Sequence, residues 1–165
     1  MKKLVVLFFL IFPLISCHLD RKSVKLERII FHTSGCFGSC PIFHLEIDNK
    51  KNIKLFAEMV YQKGLPLVSE EDTAKTGYFK GTVNDTLYTQ LDNILQTIGI
   101  ENLNFNNSTC CDGSIKTIII YYNGKRKYLK SMFPPERADT LISTLYKICT
   151  MNKLIRTKDK FDIEK

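Results

Sequence analysis

The chain has 165 residues, a formal net charge of +7, 44% hydrophobic residues and 25% charged residues. A single domain of this size can bury a hydrophobic core. The basic residues are spread among acidic ones, so the charge indicates weak attraction to anionic lipid or polysaccharide and argues against nucleic-acid binding.

The N-terminus has the pattern of an export signal. Two lysines precede an apolar run, Leu4–Ile15, which is shorter than the roughly 20 residues that a membrane-spanning helix needs. The run ends in Leu-Ile-Ser-Cys at Cys17, which resembles a bacterial lipobox. The resemblance implies that residues 1–16 are a lipoprotein signal peptide and that Cys17 is acylated after cleavage. An ordinary signal peptide and an uncleaved anchor remain open alternatives.

The mature chain divides by composition into three parts. We expect residues 17–25 to be a polar tether, residues 26–150 a single domain, and residues 151–165 a polar C-terminal tail that frays. The expected location is the bacterial cell envelope, with the lipidated Cys17 in a membrane and the domain in the periplasm or on the cell surface. The expected partners are this membrane and an unidentified envelope protein or glycan, with no nucleic acid.

Three strands are predicted in the first part of the domain, over residues 26–33, 42–48 and 53–61. The second of them alternates strictly, with Phe43 and its apolar neighbours on one side and polar residues on the other, which is typical of a half-buried antiparallel strand. The following residues, 62–81, contain several glycines and a proline and predict a long loop.

A helix, two strands and a second helix are predicted in the remainder. Asn84 is a candidate N-cap for a helix with one apolar stripe. Residues 115–122 predict the central strand, and Asn123-Gly124 predicts a tight hairpin to the next strand. The predicted fold is therefore α+β: two layers, an antiparallel sheet of about five strands, and two helices on one face, in the order β-ββα-ββα.

Four cysteines are candidates for disulfide bonds, which an exported chain can form. These are Cys36, Cys40, Cys110 and Cys111. They allow three connectivities. A direct bridge between the first two closes a small loop that Gly38 makes feasible, whereas crossed bridges would tie the first hairpin to the predicted central strand. Cys149 lies on the apolar stripe of the second helix and is expected to be a buried thiol.

A metal site is the alternative use of the same region. His32, Cys36, Cys40 and His44 follow one another at spacings of four residues, and thiolate and imidazole suit zinc or copper. The alternative to a metal site is that both histidines are exposed strand residues without a ligand. The cofactor expectation is therefore none, with copper or zinc as the alternative.

The chain has none of the short motifs that mark common enzymes: no G-x-S-x-G, no phosphate-binding glycine loop and no H-E-x-x-H. We therefore expect a non-catalytic binding or interaction module, with a Cys/His metal-handling lipoprotein as the alternative. The expected contact surface is the sheet face away from the helices, or the loop of residues 62–81.

The motif C-F-G-x-C-P-x-F over Cys36–Phe43, placed in a hairpin, precedes an acid-rich loop with K-x-G-x-F, an amphipathic helix, a late hairpin and a terminal helix. This order resembles an uncharacterised family of bacterial envelope proteins, domain of unknown function 6438, over residues 27–150. The resemblance implies a lipoprotein signal in agreement with Cys17, and it implies no activity. The Cys110-Cys111 pair departs from the family's pattern.

Overall fold

The computed structural model describes residues 23–62, 70–105, 111–151 and 153–165. The leader, Cys17, most of the tether and Cys110 lie outside the described residues. The described elements are β1 (Leu26–Thr33), β2 (Ile42–Asp48), β3 (Asn52–Met59), β4 (Gly77–Thr82), α1 (Asp85–Thr97), β5 (Lys116–Tyr122), β6 (Lys125–Ser131), a 3-10 turn (Glu136–Ala138), α2 (Asp139–Cys149) and β7 (Ile155–Arg156). The strands form one antiparallel sheet in the order β6-β5-β1-β2-β3-β4-β7.

The main core lies between one face of this sheet and both helices. Strand β2 alternates as its sequence predicts, with Phe43, Leu45 and Ile47 buried on the core side. The buried side chains of α1 and α2 belong to the same hydrophobic cluster as these strand residues. Burial of apolar surface in this cluster is the main stabilising term, at about 25 cal/mol per Å². The α+β class of the prediction is confirmed.

Local signals set the boundaries of several elements. The Asn84 side chain accepts a hydrogen bond from the backbone N–H of Leu87, so the predicted N-cap of α1 is confirmed. The β5–β6 hairpin turns at Asn123-Gly124, whose φ angles are 50° and 70°. Both values lie in the left-handed region that a two-residue hairpin of this type requires. The hairpin prediction is confirmed.

In the described parts of the chain the sheet has seven strands, whereas about five were predicted, and the order of elements differs accordingly. Strand β4 lies in the stretch interpreted as loop, because Gly77 and Gly81 made it resemble one. A Cβ at Gly81 would lie 3.1 Å from the carbonyl oxygen of Lys153, so the glycine allows the C-terminal segment to approach the strand. Strand β5 is also not central, because it is second from the edge of the sheet.

The second face of the sheet is covered in part by the C-terminal segment. Ile163 is buried against Ile30 and Ile119, which project from neighbouring positions of β1 and β5. Further along, Phe161 packs edge-on against Tyr78 at a centroid distance of 5.1 Å. Residues 153–165 are therefore packed on the sheet, which differs from the fraying expected of a polar tail. Charged residues outnumber apolar ones in this segment, so its sequence does not reveal the two side chains that anchor it.

No helix of the described residues is long and apolar enough to cross a membrane.

Replacing Ile163 with alanine tests this packing. We expect the free energy of unfolding to fall by about 2–4 kcal/mol, because the change removes buried methyl groups and leaves a cavity. The matched control is Ile155→Ala in the same segment. The Ile155 side chain is 73% exposed, so this change should lower the free energy of unfolding by less than about 0.5 kcal/mol. Urea denaturation of residues 18–165 measures both values. Equal, small effects would show that the segment does not pack on the sheet.

Candidate functional site

The loop between β1 and β2 is closed by a disulfide bond between Cys36 and Cys40. The two Cα atoms are 5.6 Å apart, and Gly38 between them has φ 141°. A positive φ of this kind strains any residue with a side chain, so the glycine permits the tight bend. The direct bridge was one of the three connectivities that the sequence allows.

Hydrogen bonds fasten this loop to the sheet at its base. The Thr33 hydroxyl donates to the carbonyl of Pro41 at 2.8 Å and accepts from the N–H of Phe43 at 2.9 Å. On the other side, the N–H of Phe37 donates to the carbonyl of Asp112 at 3.0 Å. The loop is thus held by a covalent bond within it and by polar contacts on two sides.

The tip of the loop presents an aromatic ring to solvent, because Phe37 is 89% exposed. The neighbouring turn at Asp112-Gly113 packs so closely on Met132 that a Cβ at Gly113 would lie 2.7 Å from its side chain. The next residue, Phe133, is 58% exposed. We call residues 36–40, 111–114 and 132–133 the disulfide pole.

The described chain begins at the opposite end of the sheet from the disulfide pole. The Lys25 N–H donates to the side chain of Asn123, and the Asn123 amide donates to the carbonyl of Ser23. Asn123 is at the turn end of the β5–β6 hairpin, whereas the pole is at its open end. Seven strand residues separate the two ends, which corresponds to about 23 Å at 3.3 Å per residue.

The two candidate histidines lie side by side on the second face of the sheet. His32 and His44 are paired across β1 and β2, and their Nδ1 atoms are 2.8 Å apart. The His32 Nε2 lies 2.6 Å from the carbonyl oxygen of Glu164, and the His44 Nε2 lies 2.9 Å from a carboxylate oxygen of Glu58. The result is a continuous hydrogen-bonded chain from Glu58 on β3 to the backbone of the C-terminal segment.

The hydrogen-bond partners of the two histidines determine which ring nitrogens carry protons. The Glu164 carbonyl can only accept, so His32 Nε2–H donates to it and the neutral His32 ring accepts at Nδ1. His44 must then donate from Nδ1, and a further proton lies between its Nε2 and Glu58. Protonation of His32 would place two N–H donors face to face, which is repulsive. Burial is the main reason that the pKa of His32 lies below its ordinary value; the hydrogen bond to the Glu164 carbonyl opposes this shift, and electrostatic interactions with His44 and Lys165 add to it.

The structure does not assemble the predicted Cys/His metal set. The sulfurs of Cys36 and Cys40 are bonded to each other, so neither is a thiolate ligand while the bridge is closed. His32 and His44 do meet, but they bond to each other and not to the cysteines. Among the described residues there is no group of three or more His, Cys, Asp or Glu side chains placed to hold a metal ion. The interpretation of His32 as an exposed residue is also wrong, since it is only 9% exposed.

The remaining cysteines are separate from this bridge. Crossed bridges from Cys36 or Cys40 to the second pair are not formed, although the backbone of Asp112 does contact the first loop. Cys111 is exposed and has φ 62°, and Cys110 lies outside the described residues. Cys149 is the buried thiol that the helical stripe predicts, and burial raises its pKa well above the ordinary value.

Sequence reasoning missed Glu58, Tyr121 and Glu164 because each is distant in sequence from the residues that it contacts. The Glu164 carboxylate accepts from the Arg28 guanidinium at 2.7 Å, from the Tyr121 hydroxyl at 2.6 Å and from Arg126 at 3.1 Å. The hydrogen bond from Tyr121 is the main reason that the pKa of Glu164 lies below its ordinary value. The sequence offered one signal for this cluster: Arg28 on β1 and Tyr121 on β5 fall on the same face of the sheet.

The fold and the bridged loop are those of a small α+β domain with a C-x-x-x-C hairpin. A family model described as a domain of unknown function, DUF6438, matches residues 27–149. The match covers well over half of the chain, so the chain belongs to this family, as the motif predicted. No curated protein matches the chain.

The hydrogen-bonded pair His32–His44 predicts that the stability of the protein depends on pH. The pKa of folded His32 lies below 6.5, so the unfolded chain binds more protons as the pH falls through 6.5. The free energy of unfolding should therefore be greatest above pH 6.5 and decrease as the pH falls toward the folded-state pKa. In His32→Gln, whose amide can still donate to the Glu164 carbonyl, this decrease should be smaller.

Urea denaturation between pH 7.5 and pH 5 measures this difference. The carboxylates with shifted pKa values, such as Glu164, have values below 4.5 and titrate below this range. The groups that face His32 are His44 on β2 with its partner Glu58, and Glu164 and Lys165 of the C-terminal segment. An identical decrease in the wild type and in His32→Gln would contradict the assignment to His32.

Proposed function

We propose that this protein is a lipid-anchored component of the bacterial envelope that binds another envelope protein through the disulfide pole, without catalysis. The anchor is Cys17, in the lipobox-like sequence that follows the apolar leader. A disulfide between Cys36 and Cys40 supports export, because such bonds persist in oxidising compartments.

The observation that carries the proposal is Phe37, an aromatic side chain that is 89% exposed at the tip of a covalently closed loop. Large aromatic residues supply much of the binding free energy at protein interfaces when they enter a pocket of the partner. A loop that is already rigid loses little conformational entropy on binding. The partner therefore has an apolar pocket, and Phe133 lies on the same pole to contact its rim.

The position of the disulfide pole is consistent with a domain that is tethered to a membrane at the opposite end of its sheet. Residues 23–25 lie beside the β5–β6 turn, at the end of the sheet opposite Phe37, and Cys17 precedes them by six residues. The domain would thus present Phe37 toward a partner on the side away from its own membrane attachment. This surface differs from the two contact surfaces that the sequence suggested. The second sheet face is covered in part by Phe161 and Ile163, and residues 63–69 of the loop lie outside the described residues.

Metabolic labelling tests the anchor. The full chain is expressed in a bacterium supplied with labelled palmitate, and we expect the label on the wild type and none on Cys17→Ala. The matched control is Cys149→Ala, which leaves the lipobox intact and should keep the label. Absence of the label from the wild type, or its presence on Cys17→Ala, would contradict lipidation at this residue.

Site-specific crosslinking in cells tests the pole. A photoreactive phenylalanine analogue at position 37 should give a discrete crosslinked product, whereas the same analogue at Lys50, an exposed position at the opposite end, should give none. Cys36→Ser/Cys40→Ser should reduce the yield at least fivefold, because the open loop no longer holds the ring in place. Equal products from both positions, or no product from position 37, would refute the proposed surface.

A further inference from the structure

The second face of the sheet carries a groove that holds residues 161–164 of the same chain. We propose that this groove is a binding site for an extended protein segment in which an apolar side chain precedes a carboxylate, and that the C-terminal segment occupies it as an internal ligand. This site is on a different surface from the disulfide pole and does not depend on the function proposed for it.

The first part of the site is a receptor for a carboxylate. Arg28, Tyr121 and Arg126 approach the Glu164 carboxylate from three adjacent strands, at 2.7, 2.6 and 3.1 Å. Two guanidinium groups and a phenol on one carboxylate form charge-assisted hydrogen bonds, which are stronger than neutral ones.

This receptor is held in place by contacts that do not involve the C-terminal segment. The Arg28 guanidinium lies 4.4 Å above the Tyr121 ring and also contacts Glu46, which in turn binds Lys54. The Arg126 Nε donates to the Tyr121 hydroxyl at 3.1 Å. The cationic groups are therefore pre-positioned before any carboxylate enters.

The second part is an apolar surface beneath Ile163. Ile30 and Ile119 are paired across β1 and β5 and are fully buried under Ile163. The third part is His32, whose Nε2–H donates to the backbone carbonyl of Glu164 at 2.6 Å. The site thus contacts one apolar side chain, the carboxylate of the next residue and the backbone carbonyl of that same residue, and this combination selects a short extended segment.

The occupying segment is held mainly by side chains, which allows exchange. Beyond Thr157, whose N–H donates to the carbonyl of Tyr78, residues 158–165 make no backbone–backbone hydrogen bond to the rest of the described chain. A partner segment would not have to break a strand ladder to replace it. An internal ligand has an effective concentration in the millimolar range, so exchange requires a partner segment that is tethered nearby or binds more tightly.

Peptide binding to residues 18–165 tests this site. The probe is a fluorescein-labelled peptide with the sequence of residues 157–165, and fluorescence anisotropy measures its affinity. The variants Glu164→Gln and Ile163→Ala/Glu164→Gln weaken the internal ligand, and each should bind the peptide at least tenfold more tightly than the wild type does. The single variant retains the buried Ile163, so it remains informative if the double variant does not fold.

Four controls define the specificity. A peptide with both changes, Ile163→Ala and Glu164→Gln, should bind at least tenfold more weakly to the Glu164→Gln protein than the unchanged peptide does. Adding Arg28→Gln to that protein should abolish binding, whereas adding Lys147→Gln, an exposed position on α2 on the other side of the sheet, should not. Phe37→Ser should leave peptide affinity unchanged, which separates this site from the disulfide pole.

Two results would overturn the inference. One is a Glu164→Gln protein that unfolds cooperatively, and is therefore folded, but binds the unchanged peptide no more tightly than the wild type. The other is equal affinity for the unchanged peptide and the doubly changed one, because the groove would then recognise neither the apolar side chain nor the carboxylate.

Discussion

Burial of β1 on both faces is the constraint on which the rest of the structure depends. Ile29 and Phe31 point into the helical layer, while Ile30 and His32 lie under the C-terminal segment. A strand with both faces covered needs packing partners on each side; among the described residues, the two helices cover one face and the C-terminal segment covers part of the other. The tight packing of residues 161–164 and the hydrogen bond to His32 are therefore consequences of a hydrophobic strand in the interior of a sheet.

The elements that the sequence predicted correctly are those with strong local signals. Strand β2 alternates because only one face enters the main core, Asn84 caps α1, and Asn123-Gly124 favours the backbone angles of a tight turn. Strand β4 has no such signal, since two glycines and mixed side chains do not indicate a strand. It exists because β3 and β7 pair with it on both sides, and pairing between distant segments is not encoded locally.

The candidate sites show the same difference between features that are encoded locally and features that depend on distant segments. The spacing of Cys36 and Cys40 around Gly38 was enough to make a direct bridge feasible, because the whole loop is local. The meeting of His32 with His44 follows from a hairpin register, which the sequence constrains but does not determine. The partners Glu58 and Glu164 come from a third strand and from the other end of the chain. Their role depends on tertiary packing, so residue patterns alone did not indicate the hydrogen bonds that link Glu58, His44, His32 and Glu164.

The burial of Cys149 has a consequence for the stability of the disulfide bond between Cys36 and Cys40. Only a thiolate attacks a disulfide, and burial raises the pKa of this thiol, so in the native state it is withheld from exchange both by access and by protonation. Before α2 docks, the same sulfur is as reactive as any other. The bridge between Cys36 and Cys40 closes a loop of only four residues, so its closure costs little entropy. Packing of α2 onto the sheet buries the Cys149 thiol, which could otherwise attack this bridge. In the folded protein, packing of α2 therefore protects the Cys36–Cys40 bridge from exchange with Cys149.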